Sequence, residues 1–128
     1  MRKIIALALI FATLLACDKK GTSFTKSIHN TSAKTINFYF YGAFNPSTYG
    51  DTVIVNAGEL KVLHFYKDEN SDVGVQQSCK VYDDSIRVEI VGGGTLNKAL
   101  TNEADWDFET GLENSQNCTF KITDSDIL

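Results

Sequence analysis

Between Thr35 and Tyr41 the side chains alternate, with Ile36, Phe38 and Phe40 on one face and Asn37, Tyr39 and Tyr41 on the other. Period two marks a strand, because successive Cβ atoms of an extended chain point to opposite sides. A helix instead needs apolar residues three and four apart. The pattern restricts the fold because it recurs. Ser85–Val91 sets Ile86, Val88 and Ile90 against Arg87 and Glu89. Cys118–Thr123 sets Cys118, Phe120 and Ile122 against Thr119, Lys121 and Thr123. Trp106 and Phe108 alternate with Asp105, Asp107 and Glu109, and Phe24, Lys26 and Ile28 with Thr25, Ser27 and His29. No amphipathic helix of about ten residues interrupts these runs.

Further strands are expected at Gln76–Tyr82 and Thr95–Leu100. Thr52–Val55 and Leu60–Tyr66, joined through Ala57-Gly58, read as a hairpin. Turn signals stand at Asn30-Thr31-Ser32, Asp83-Asp84 and Gly92-Gly93-Gly94. About seven to nine short strands at close spacing predict an all-β domain. The expected architecture is an antiparallel β-sandwich, immunoglobulin-like in one form, with a small β-barrel as the alternative.

The N-terminus follows a different logic. Arg2 and Lys3 precede an uncharged apolar run from Ile4 to Ala16, too short for a comfortable membrane span. The run ends in Leu14-Leu15-Ala16-Cys17. Residues 1–17 thereby resemble the signal of bacterial lipoproteins. That resemblance implies that Cys17 carries a diacylglyceryl thioether and that cleavage occurs before it. Residues 1–16 would be the cleaved signal peptide, 17–23 the lipidated cysteine and a short tether, and 24–128 one β domain. The expected location is the cell envelope, lipid-anchored, at the outer membrane ahead of the inner. The mature part resembles small, largely uncharacterised lipoproteins of the Bacteroidetes. The features shared are the short tether, the Asp84–Val88 strand, the single Trp and the Cys118–Ile122 ending. This second resemblance implies no activity.

With Cys17 assigned to lipid, Cys79 and Cys118 remain as an even pair. Both sit on the apolar face of their expected strands, and an exported domain folds where disulfides persist. A disulfide is expected; two buried free thiols are the alternative. Loss of the signal also leaves ten Lys and Arg against sixteen Asp and Glu. So acidic a domain lacks the basic patch that nucleic acid requires.

Chemistry-bearing motifs are scarce. There is no Gly-x-Ser-x-Gly, Ser-x-x-Lys or His-Glu-x-x-His, and His29 and His64 stand alone. Asp68–Asp72 opens with oxygens at alternate positions, but Val73 and Cys79 stand where a calcium loop places Gly and Glu. No enzyme, cofactor or metal is therefore expected. Two surfaces are candidates for binding. Tyr39 and Tyr41, with Tyr49 on the following loop, would form an aromatic platform for a sugar or a protein. Asp105, Asp107 and Glu109 would line one strand face, as a patch for a cation or a basic partner or simply as a solvated face. The expected function is a non-catalytic, membrane-anchored module binding an envelope protein or glycan. The alternatives are an envelope inhibitor directed at a basic enzyme and a hydrolase with a dispersed site.

Overall fold

The strongest alternating runs form strands in the structure, a computed structural model that describes residues 21–41, 51–68, 79, 85–111 and 115–128. The strands are β1 (Thr22–Asn30), β2 (Ile36–Tyr41), β3 (Thr52–Val55), β4 (Leu60–Asp68), β5 (Ser85–Ile90), β6 (Trp106–Thr110) and β7 (Ser115–Ile122). They make a four-stranded sheet in the order β4-β1-β7-β6 and a three-stranded sheet in the order β3-β2-β5. The domain is a β-sandwich, and the two sheets do not close into a barrel. Among the described residues no helix is long and apolar enough to cross a membrane.

The core is the sum of the predicted inner faces. The larger sheet contributes Ile28, Leu63, Trp106, Cys118, Phe120 and Ile122, and the smaller one Ile36, Phe38, Phe40, Val53, Val55 and Ile90. Phe38 and Phe120 are fully buried, each worth roughly 1.5–3 kcal/mol of burial. A register shift in β1–β4 between Lys26 and Ser27 turns Leu63 inward while Val62 and Phe65 stay outside. Such a bulge re-aims a side chain where strict alternation fails.

Four expectations change. Thr52–Val55 and Leu60–Tyr66 are consecutive but not a hairpin, because β3 pairs with β2 and β4 with β1, in opposite sheets. The reason lies at Asn30. Its fully buried side chain donates to the carbonyls of Val55 (3.2 Å) and Asn56 (3.0 Å), and its backbone N–H donates to Glu59. These bonds carry the chain across the sandwich after β3. Secondly, β1 and β7 run parallel, from Ser23 opposite Ser115 to Asn30 opposite Ile122. An immunoglobulin sandwich keeps its first two strands in one sheet, whereas β1 and β2 here lie in different sheets. Thirdly, Thr95–Leu100 is not a strand, and only Leu96 bridges, to Ile127. Gly94 explains the close approach there: its φ is +123°, and a Cβ would meet Ile127 Cγ2 at 2.9 Å. Lastly, β1 starts at Thr22, so the expected tether loses its final two residues to the sheet. The expected strand Gln76–Tyr82 lies outside the described residues except for Cys79.

Strand direction decides which termini share an end of the sandwich. β1 runs away from Thr22, and β2 returns after the short turn at 31–35. β3 and β4 are likewise joined by a tight turn at 56–59. Tyr41, Thr52, Asp68, Ser85, Thr110 and Ser115 therefore lie at the same end of the sandwich as Thr22. The glycine turn after β5 lies at the other end.

Candidate functional site

The aromatic surface forms on the outer face of the three-stranded sheet. β2 presents Asn37, Tyr39 and Tyr41 there, because Ile36, Phe38 and Phe40 are consumed by the core. Antiparallel register sets Tyr39 opposite Arg87 and Tyr41 opposite Ser85 on β5, and Tyr39 opposite Thr52 on β3. The Arg87 guanidinium covers one face of the Tyr39 ring, 4.2 Å from its centroid. The Tyr39 hydroxyl donates to Glu89 Oε2 at 2.8 Å, and Arg87 approaches the same carboxylate at 3.8 Å. The hydrogen bond to Glu89 also raises the Tyr39 pKa above its ordinary value, with desolvation adding to it. Tyr39 is thus an anchored ring with one face closed. Tyr41 is different: it is 55% exposed at the end of β2. A guanidinium, a carboxylate and an open phenol ring on one flat face can hydrogen-bond and stack with a polar, ring-bearing ligand. Tyr49 lies outside the described residues.

The acidic series does not act as one patch. Asp105 ends a 3-10 turn, Glu103–Asp105, and its Oδ2 accepts from the Ala99 N–H (2.8 Å) and Asn102 Nδ2 (3.1 Å). That carboxylate closes a loop. Asp107 and Glu109 stay exposed on β6, opposite Thr119 and Asn117 of β7. Among the described residues no three His, Cys, Asp or Glu side chains converge as a metal would need. His29 and His64 sit on opposite faces of the four-stranded sheet, His29 level with Leu60 and His64 level with Lys26.

Cys79 and Cys118 form a disulfide across 39 residues of chain, with their Cα atoms 5.8 Å apart. Cys118 is central in β7 and fully buried. The bond ties Cys79, between β4 and β5 in the chain, to the middle of the four-stranded sheet's core face. On the neighbouring strand β6, Trp106 holds its ring 5.4 Å from that of Phe120 and donates from Nε1 to the Leu100 carbonyl at 3.0 Å.

The alternation also carries a charged residue into the core. Lys26 shares the inner face of β1 with Phe24 and Ile28, and it is only 6% exposed. Its ammonium lies 4.9 Å from the Trp106 ring centroid, an orientation that favours the charged form. Burial acts the other way and lowers the Lys26 pKa from 10.5 to about 8. In the unfolded chain this lysine keeps its proton to about pH 10.4. Between these values the unfolded state binds more protons, so stability rises with pH. Between pH 7.5 and 10 we expect wild type to gain about 1–2 kcal/mol relative to Lys26→Met, after allowance for partial solvent screening. Urea midpoints of the two proteins across that range provide the check; parallel curves would contradict it.

Compared with family models, with curated proteins and with solved structures, the chain matches none.

Proposed function

We propose that the chain is a lipid-anchored, non-catalytic binding module of the bacterial cell envelope. Its ligand, a glycan or a protein segment, docks on the outer face of the three-stranded sheet. The observation that carries the binding half is the exposed Tyr41 ring beside the braced Tyr39–Arg87–Glu89 group. Bracing matters because a ring already held in place loses little freedom on binding. The anchoring half rests on Leu14-Leu15-Ala16-Cys17 behind an apolar run.

The two halves are tested separately. Cys17→Ser is expected to shift the protein from the membrane fraction to the soluble fraction while the domain still folds. A Cys17→Ser chain that stays membrane-bound with unchanged lipid labelling defeats the anchor. For binding, the acylated protein is used to capture ligands from envelope extract and from a glycan array. Tyr41→Ala is expected to weaken the captured interaction at least tenfold, or about 1.4 kcal/mol. Equal capture by the Tyr41→Ala and wild-type proteins would remove this face from consideration.

A further inference from the structure

We infer that the Thr22 end of the sandwich is a second membrane contact, in which the exposed aromatic side chains of β4 rest in the lipid headgroup layer while Tyr41, on the outer face of the other sheet, stays open to the ligand. The contact rests on the lipid anchor at Cys17 proposed above and adds to it an orientation of the whole domain.

The first observation is where the exposed aromatic rings lie. Among the described residues the large, exposed hydrophobic side chains are of two kinds. The aromatic ones, Phe65 (61%), Tyr66 (54%) and Tyr41 (55%), are all near the Thr22 end. Tyr66 pairs with Phe24 and Phe65 with Thr25, within three residues of the start of β1, and Tyr41 closes β2 at the same end. The aliphatic ones sit elsewhere. Leu60 is opposite His29, Val62 opposite Ser27 and Ile54 opposite Asn37, and Val91 and Leu128 follow the last residues of their elements at the far end. A sheet edge built only for pairing with another strand would not sort its side chains this way. Tyrosine rings collect at membrane–water interfaces, where the ring is buried and the hydroxyl stays wet, and the phenyl ring of Phe65 beside Tyr66 adds purely apolar surface. Lys67, exposed next to Tyr66, has the long apolar stem and charged head that suit the same layer.

The second observation is reach. Five residue steps separate Cys17 from Thr22, and an extended chain covers at most about 18 Å in that distance. An acylated Cys17 therefore holds the Thr22 end against the bilayer and leaves the other end, roughly 20 Å further along β4 for six residues of strand, pointing away. Charge defines which lipid is touched. Asp51 and Glu109 are exposed at the same end along with Lys67, so the charge there is mixed and builds in no net attraction for anionic headgroups. The contact is with zwitterionic lipid and should be nearly insensitive to salt.

Two added tryptophan reporters test this in the full, acylated protein reconstituted in phosphatidylcholine vesicles with brominated acyl chains. Tyr66→Trp places an indole at the Thr22 end, and Leu60→Trp places one at the far end of the same strand; both positions are exposed, so folding is not at risk. The signal of the buried Trp106 is subtracted with wild type. Tyr66→Trp is expected to be quenched at least twofold more than Leu60→Trp, with a blue-shifted emission unchanged by 0.5 M salt (roughly a 4 Å screening length). Equal quenching at the two positions, in protein that floats with the vesicles and carries acyl mass on Cys17, overturns the inference and leaves the anchor standing. Protein that neither floats nor carries acyl mass overturns both. Unquenched Tyr66→Trp accompanied by cross-linked dimers also overturns it, and assigns this strand edge to a second copy of the chain.

Discussion

Replacing both Cys79 and Cys118 by alanine is expected to lower the free energy of unfolding by about 4 kcal/mol, the largest loss among changes that leave the surface intact. The cross-link closes 39 residues of chain. On the chain-entropy account a loop of that length accounts for most of the figure through the unfolded state alone. Truncating Cys118, fully buried in the middle of β7, adds a smaller packing loss. The two sources separate in denaturant titration. An unfolded chain freed of its cross-link exposes more surface, so the urea m-value should rise in the double variant as the midpoint falls. A loss below about 1 kcal/mol, with m unchanged, would contradict the entropic account. Since a domain is stable by only ~5–15 kcal/mol, the double variant should sit close to the edge of folding at physiological temperature.

Asn30→Ala is the second large effect, expected at about 3 kcal/mol. Asn30 is fully buried, and its side chain is committed at every polar atom. Nδ2 donates to the carbonyls of Lys34 (2.7 Å), Val55 (3.2 Å) and Asn56 (3.0 Å). Oδ1 accepts from the Ser32 N–H (3.1 Å) and the Ser32 hydroxyl (2.7 Å). Alanine takes this partner from the buried Val55 carbonyl and from the buried Ser32 N–H and hydroxyl, where each lost bond costs more than it was worth when made because water cannot replace it. Asn30→Asp offers a sharper test. An ionised carboxylate would face three carbonyl oxygens, so its pKa in the folded state must rise. The folded protein then binds the extra proton, and stability relative to wild type falls as pH climbs above about 4, the ordinary carboxylate value. The deficit of Asn30→Asp should therefore be smallest in acid and largest near neutrality. A deficit independent of pH would mean that the side chain escapes the site.

The contrast between these residues shows what was legible in advance. Inner and outer faces were readable wherever apolar residues alternated without error. Ile36, Phe38 and Phe40 and Cys118, Phe120 and Ile122 are all buried. The disulfide was expected because both cysteines sat on the apolar side of their expected strands in a domain expected to fold where disulfides persist, and Cys118 is buried on such a face. Sheet membership was not readable, because it depends on partners far away in the chain. Asn30 looks like a turn residue from its neighbours, and its role as a clamp on Val55 and Asn56 exists only once β3 arrives 25 residues later. Asp105 belonged by spacing to an acidic face, yet its bonds to Ala99 and Asn102 take it out of that face. Tyr39 was placed correctly on the outer side, but Arg87 and Glu89 could be matched to it only through the β2–β5 register. Lys26 was in the right position on the inner face; a charged residue there gave no pattern to distinguish it from an edge.

The parallel pairing of β1 with β7 sets an order in time. β7 stands between β1 and β6 in the four-stranded sheet, and it follows every other described strand in the chain. Until it arrives, β1 has only β4 beside it, and a two-stranded ribbon is marginal in water. β6 has no neighbour in the sheet, and Cys79 lacks its partner thiol at position 118. Synthesis from the N-terminus thus leaves the four-stranded sheet open until β7 is made, and the sheet then closes from the centre outward. For the exported, lipid-anchored protein proposed above, such a delay keeps the chain open while it is threaded through a membrane.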